Sequence, residues 1–389
     1  MRNLLFDRSL LKDGIWHPKD ALRCDSMLFC TVSLLALFGS VMIFSASYAY
    51  AEARYENSYY FIERQIVWIL VGYLMLWLTS RLTTDFFRFA APLAYLLTVV
   101  LLVTVLVVGS IGNGAQRWIA IGPITIQPSE IAKTTLVMIL AWYFAKYPQK
   151  ALDRENKRNT LLYGTLLPFL LIGIICVLVM LQKHLSGIII LGAIGILTIY
   201  LSGAGLRYLT YCGVAAVSGV TALALFTDYT KRRITIWLNP ELYPLEGGWQ
   251  TLQGMMAIGS GGFFGLGLGQ SRLKYSYVSE PANDMIFTII CEELGFVGAM
   301  AVLGLFGLFI YRGALIGIRH PDPFARLLVL GIVVKVAIQV LLNVGVVTNT
   351  IPNTGISLPF FSYGGSSLIM LFAEMGILLS ASRNSTIQK

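Results

Sequence analysis

Asp284 stands where a polar stretch, Ser279-Glu280-Pro281-Ala282-Asn283-Asp284, gives way to an apolar run. A carboxylate at such a border can take the proton of an attacking hydroxyl, or it can merely cap a helix start. Glu292 and Glu293 lie further along the same run. At 100° per residue they sit about 80° and about 180° round from Asp284, so the three acids cannot share one cavity. A second charged group is Gln127-Pro128-Ser129-Glu130-Ile131-Ala132-Lys133. Pro128 marks a helix start, Glu130 lies near the positive end of its dipole, and Lys133 shares its face and can pair with it. Such a pair is either a structural device for carrying two charges into a bilayer or part of a site.

The remaining polar signals are loops and turns. Gly112-Asn113-Gly114-Ala115-Gln116-Arg117-Trp118 precedes the Glu130 segment, and Lys231-Arg232-Arg233 precedes Gly247-Gly248-Trp249-Gln250 and a glycine-rich run to Gly269. No Gly-Lys-Ser/Thr follows and no βαβ unit fits round it, so neither phosphate-loop nor dinucleotide chemistry is indicated, and packing explains most of the glycines. Pro352 to Gly355 and Pro359 to Ser367, with Ser362 and Tyr363, predict an irregular re-entrant loop that lines a cavity. His184 has no neighbouring acid in sequence and is expected to be structural rather than a base. The five cysteines are scattered without a CxxC, which indicates neither a disulfide framework nor a metal site.

The elements that must position these residues are membrane helices. The 389 residues are 56% hydrophobic and only 13% charged, about half the charge that a water-facing surface carries. That excludes a soluble globular enzyme. Spans of about 20 apolar residues fit at 26–48, 61–80, 88–108, 130–146, 160–181, 187–204, 207–226, 285–311, 327–348 and 366–382. The fold class is therefore an all-α polytopic membrane protein of about ten helices with both termini cytoplasmic. Residues 1–25 form a basic tail, not a signal peptide, because four aspartates accompany its basic residues. Residues 26–382 form one membrane domain, and 383–389 a short C-terminal tail. Arg81, Arg88, Lys146, Lys150, Arg154, Lys157, Arg158, Arg312, Arg319 and Arg326 fall in the loops assigned to the cytoplasm, as the positive-inside rule requires. The net charge of +9 follows from the same rule, and with no run of five or more basic residues and no zinc-finger spacing nothing suggests nucleic acid. The long extracellular loop, about 227–283 between helices 7 and 8, is expected to form short amphipathic helices at the membrane surface.

Two further charges are placed by topology. Lys335 and Glu374 are the full charges inside the last two spans, roughly 12–13 Å from their cytoplasmic ends. An antiparallel pair would bring them to one depth, where pairing offsets their separate insertion costs of about 2.5–3.5 kcal/mol each. Lys335, Gln339 and Asn343 recur every four residues, so they form one polar stripe that should face protein.

Together these motifs resemble the SEDS family (shape, elongation, division and sporulation), whose members include RodA, FtsW and SpoVE. The likeness runs from about Asp25 to Arg383. It is carried by Asn113-Gly114-Ala115 with Arg117-Trp118, Gln127 to Glu130 with Lys133, Glu280-Pro281 with Asp284, and Pro359 to Ser367. Phe44-Ser45-Ala46-Ser47 also fits and leans towards the FtsW and SpoVE branch. The resemblance implies a peptidoglycan glycosyltransferase in the bacterial cytoplasmic membrane that polymerises lipid II, a disaccharide-pentapeptide on undecaprenyl pyrophosphate, at the outer face. It implies Asp284 as the catalytic carboxylate. Arg117, Trp118, Glu130, Lys133, Arg233, Gln250, Glu280, Ser362 and Tyr363 are the candidate substrate-binding residues. The leaving pyrophosphate needs cations, or a divalent metal ion whose ligands are not assigned, and the expected protein partner is a class B penicillin-binding transpeptidase. Two departures stand out: Ala282-Asn283 precedes the acid where the family often has a histidine, and Gln182-Lys183-His184 replaces Gln-Pro-Asp. A lipid II flippase or a non-catalytic scaffold are the competing functions. A flippase needs polar residues continuing to the cytoplasmic side.

Overall fold

The computed structural model describes residues 14–16, 24–112, 115–122, 124–153, 156–205, 207–214, 218–219, 228–244, 248–272, 274–275 and 282–385. Its long helices are α1 (Ser26–Tyr55), α2 (Tyr60–Arg81), α3 (Thr84–Val108), α4 (Pro128–Lys146), α5 (Lys157–Leu181) and α6 (Leu185–Leu201). The loop region supplies α7 (Asp228–Leu238) and α8 (Trp249–Gly261), and the chain ends on α9 (Ile286–Ile318), α10 (Pro323–Val347) and α11 (Gly365–Ser382). By length and composition seven of these could cross a membrane: α1, α2, α3, α5, α9, α10 and α11. The apolar α6 is shorter, at 17 residues. Central α4 is 19 residues long, and Glu130, Lys133 and Lys146 dilute its apolar character. The expected seventh span, 207–226, is helical at 207–214, and most of its remainder lies outside the described residues. This is a polytopic, predominantly helical membrane protein.

Helix boundaries follow their caps. Asp25 accepts from Leu28 N at 2.8 Å, Thr83 from Phe86 N at 3.3 Å, and Asp322 from Ala325 N at 2.9 Å, each satisfying an amide that the first turn leaves open. The Thr83 cap starts α3 four residues before the apolar run does. It thereby brings Asp85 into the first turn, where it pairs with Arg88 three residues on at 3.3 Å. Charges far apart in sequence then meet at one end of the bundle: Arg88 with Asp322 at 2.5 Å, and Arg312 with Asp25 at 2.7 Å. These are residues assigned to the cytoplasm, so the geometry agrees with their sharing a face. The expected tails 1–13, 17–23 and 386–389 lie outside the described residues.

Two parts depart from the helical expectation. The described residues between 110 and 126 form a three-stranded antiparallel sheet, β1 (Ser110–Gly112), β2 (Ala115–Ile121) and β3 (Ile124–Ile126), with Ile119 opposite Ile126 and Ala120 opposite Thr125. The fold is therefore not strictly all-α. Alternating isoleucines on either side of Gly122-Pro123 favour a hairpin, since β-branched chains fit a pleated surface.

The second departure is the long loop, which does not simply lie flat on the helix ends. A Cβ at Gly261 would fall 1.9 Å from the Cys291 carbonyl oxygen, so the end of α8 rests directly on the backbone of α9. There α9 breaks at Gly295 (φ 65°, ψ −163°). The break removes the helical bonds from Phe296 N to Glu292 O and from Val297 N to Glu293 O. The chain after α8 replaces both. Leu266 N and Gly267 N donate to the Glu292 and Glu293 carbonyls (3.0 and 2.9 Å), while Phe296 N and Val297 N donate to Gly262 O and Phe263 O (3.0 and 3.1 Å). Glu293 is seven residues into α9, about 10 Å along its axis, so this hairpin runs beside the span. Irregular backbone is tolerated at that depth because every broken bond is remade.

Packing elsewhere relies on small residues, as expected when lipid cannot drive helices together by hydrophobicity alone. A Cβ at Gly376 would lie 1.9 Å from Thr79 Oγ1, and that hydroxyl reaches Ala373 O at 3.0 Å across the α2–α11 contact. Against this frame α4 is buried along most of its length between α3, α6, α10 and α11, which makes it the post on which a site can be built.

Candidate active site

At the end of the bundle opposite the Arg88–Asp322 and Arg312–Asp25 pairs, a cavity of about 830 Å³ opens. Of the residues singled out from sequence, Asp284, Arg117, Trp118, Glu130, Lys133, Arg233, Gln250 and Tyr363 all line it. They arrive from separate elements: Arg117 and Trp118 from β2, Glu130 and Lys133 from the first turns of α4, Arg233 from α7, Gln250 from α8, and Tyr363 from the loop before α11.

Asp284 lies in the turn before α9 and does not cap it. The N-cap is Met285, whose side chain makes no capping bond. The turn is pinned instead by its backbone. Asn343 Nδ2 donates to Asp284 O at 2.9 Å, Ser362 Oγ to Asn283 O at 2.6 Å, and Tyr363 N to Ala282 O at 2.8 Å. The carboxylate points towards Gly355, where an added Cβ would sit 3.5 Å from Oδ2. A half-buried aspartate with its main chain held from three sides is a positioned group rather than a mobile one.

Lys133 Nζ is 2.8 Å from Glu130 Oε1 and 2.7 Å from Oε2, so the ammonium straddles the carboxylate. Around them the cavity gathers four basic side chains (Arg117, Lys133, Arg232 and Arg233) against two carboxylates, Glu130 and Asp284. An excess of cations in a partly enclosed site favours an anionic ligand. Arg233 Nη1 also donates to Asn353 O at 3.0 Å and Trp237 Nε1 to Asn349 O at 2.9 Å, tying α7 to the irregular loop. That loop, 351–364, lines the cavity as expected and has its own backbone satisfied by Asn343 Nδ2 on Ile356 O (2.7 Å) and by Ser186 Oγ on Thr354 O.

One expectation needs correction. Ser362 does not line this cavity. Its hydroxyl accepts from Leu358 N at 2.7 Å and donates to Asn283 O, so it supports the Asp284 turn from behind. A polar side chain is recruited there because irregular backbone must find partners. His184 lies on the cavity wall, where burial first and the Arg117 charge second push its imidazole down to about 4, opposed by Glu130. It is uncharged at neutral pH. Glu280, Asn113 and Gly114 lie outside the described residues.

Three features escaped the sequence. Arg232 belonged to a recognised basic run, but only geometry shows that it shares the cavity with Arg233. Ser129 and Gln339 also line it, and Gln339 could have been found from the Lys335 stripe. Behind the site, Glu293 accepts from Ser45 Oγ (2.5 Å) and pairs with Lys274 (2.8 Å), both partners of the ion pair being fully buried, while Glu292 accepts from Ser271 Oγ and Arg272 N. The separate angular positions of Glu292 and Glu293 exclude them from the cavity, as the helix geometry requires.

Among the described residues no group of three or more His, Cys, Asp or Glu side chains converges as a metal cage. A divalent ion here would depend on Asp284 or Glu130 together with oxygens of a bound phosphate, the manner in which magnesium is commonly held.

A family model described as cell cycle protein, for FtsW, RodA and SpoVE, matches residues 25–387. Stage V sporulation protein E of Bacillus subtilis (strain 168) is 37% identical over 367 residues, spanning 93% of this chain and 97% of that protein. The probable peptidoglycan glycosyltransferase FtsW of Trichlorobacter lovleyi is 36% identical over 362 residues, spanning 92% and 93%. A chain from a study of the structural coordination of polymerization and crosslinking by a peptidoglycan synthase complex superposes with a TM-score of 0.77 at 29% identity, covering 93% of this chain and 98% of that one. The crystal structure of Thermus thermophilus rod shape determining protein RodA gives a TM-score of 0.68 at 29% identity, with the same coverage.

Proposed function

The chain belongs to the FtsW, RodA and SpoVE family of cell cycle proteins, and from that premise we propose that it is a peptidoglycan glycosyltransferase. It would polymerise lipid II at the outer face of the bacterial cytoplasmic membrane, with ten spans and both termini inside. The observation that carries this reading is one cavity holding a backbone-pinned carboxylate, Asp284, together with Lys133, Arg117, Arg232 and Arg233. The chemistry needs both parts. A sugar hydroxyl attacks an anomeric carbon, the new C–O bond forms as the bond to the lipid pyrophosphate breaks, and Asp284 takes the hydroxyl proton. The charge that builds on the departing pyrophosphate is met by the basic side chains. No strong general acid is needed, because pyrophosphate leaves as an anion.

The transporter alternative calls for polar residues that continue to the opposite face. Here the cavity lining comes from one end of the bundle, which favours the enzyme. The kinship with a chain of a peptidoglycan synthase complex supports a penicillin-binding transpeptidase as partner. Purified protein incubated with fluorescent lipid II, with and without candidate transpeptidases, tests the reading. Glycan ladders on a gel support it. Transbilayer movement of lipid II in vesicles without any polymer would favour transport.

A further inference from the structure

Beneath the large cavity lies a second one of about 20 Å³, lined by Glu130, Lys335, Gln339, Ser357 and Ser367 among others. Four of these, Glu130, Gln339, Ser357 and Ser367, also line the large cavity, so the two share a wall. The space is right for about one water with polar neighbours. On its far side Lys335 Nζ is 2.5 Å from Glu374 Oε1, and Thr134 Oγ1 donates to the same oxygen. Thr134 directly follows Lys133 on α4. Four buried or nearly buried charges on three helices thus alternate in sign: Lys133, Glu130, Lys335, Glu374.

We propose that Lys335 is a positioning residue for the Glu130–Lys133 pair, holding the Glu130 charge from behind when Lys133 turns to an incoming diphosphate. The inference rests on the glycosyltransferase reading and deepens it. In the resting geometry both Glu130 oxygens engage Lys133, which neutralises the ammonium the leaving group would need. An arriving anion competes for Lys133 and would leave Glu130 facing like charge. A second cation across a water-sized gap removes that conflict, and Glu374 with Thr134 keeps this cation and the α4 face in register. Helix pairing alone does not call for Lys335 to face the small cavity that Glu130 also lines. It needs only that the two charges meet somewhere in the α10–α11 contact.

The test compares wild type, K335M/E374L, K335R, K335Q and E374Q for thermal stability in detergent and for kcat and KM with lipid II. The double variant replaces the pair with apolar groups of similar size, a change that buried pairs often tolerate. It is expected to stay folded yet lose about tenfold or more in kcat with KM within about twofold, because the leaving-group charge grows in the transition state. K335R keeps the cation and should hold kcat within about threefold of wild type. A folded double variant with wild-type kcat overturns the inference and leaves the pair as helix glue. If the double variant fails to fold, the single changes decide. Loss of the cation in K335Q should cost kcat about tenfold, while E374Q, which keeps it, should stay within about threefold. Equal losses per folded molecule overturn the proposal. A wild type that makes no polymer overturns the glycosyltransferase reading, and this inference with it; an active wild type with equal losses overturns the inference alone.

Discussion

Lys133 and Glu130 show what a single side chain can and cannot declare. Their spacing announces a pair, and the structure makes it bidentate at 2.7–2.8 Å. Exchanging the two, E130K/K133E, keeps the pair but moves the cation nearer the helix start. We expect the exchange to retain folding and to lose polymerisation; wild-type polymer from it would remove Lys133 from the leaving-group site. Removing one partner alone should destabilise by about 3–5 kcal/mol, seen as a lowered melting temperature in detergent. The Lys335–Glu374 pair was equally legible, because two lone charges of opposite sign at one depth in adjacent antiparallel spans have few other ways to be satisfied. Lys274 was not. It sits in the long loop, and nothing in its neighbours signals that the chain folds back to bury it against Glu293. The unpaired acids at Glu292 and Glu293 were the only hint that a cation had to come from somewhere. Lys274→Met is expected to cost stability comparable to breaking any buried pair, about 3–5 kcal/mol, and Lys274→Met with Glu293→Met substantially less. A single variant as stable as wild type would show that the loop is not held by this bond.

At the scale of elements, apolar runs specify helices well and say little about how helices break. The apolar stretches place most ends of the long helices within four residues, but α1 and α9 each run seven residues past theirs, to Tyr55 and Ile318. Caps at Thr83 and Asp322 account for the α3 and α10 starts, each four residues earlier than its apolar run, since a cap is set by one side chain and not by hydropathy. The α9 break at Gly295 and the hairpin that repairs it were hidden, because a glycine-rich run carries no period and its partners are backbone atoms. Gly295 has φ 65° and ψ −163°, a region essentially closed to other residues, and a Cβ there would meet Gly265 N at 2.3 Å. Gly295→Ala should therefore cost at least about 1–3 kcal/mol and free the 262–267 segment. Hydrogen exchange at Leu266 and Gly267 amides checks this: they should lose protection before the α10 amides do. Unchanged protection would mean that the hairpin does not depend on the break. The small sheet at 110–126 was readable in principle from its isoleucine alternation, but a membrane context draws attention to helices.

The whole molecule separates two kinds of polar chemistry. One end of the bundle collects ion pairs between helical arginines and helix-capping aspartates, Arg88 with Asp322 and Arg312 with Asp25, which close the fold. The other end collects a cation-rich cavity with one pinned carboxylate, and the buried pairs Lys274–Glu293 and Lys335–Glu374 lie beneath it. This polarity is what a glycosyltransferase of a lipid-linked sugar requires: substrate enters at one face, and the remainder of the molecule holds the site still. It also locates the central claim in one atom group, the Asp284 carboxylate. Asp284→Asn keeps the size of the side chain and the backbone bonds from Asn343, Ser362 and Tyr363, yet cannot accept a proton. The decisive measurement is glycan polymer formed from labelled lipid II by purified wild type and Asp284→Asn, run beside their melting curves. Melting temperatures within a few degrees and a loss of about 10²-fold or more in rate are predicted. A folded Asp284→Asn protein that keeps more than about a tenth of wild-type activity would contradict a general-base role, which should supply more than that.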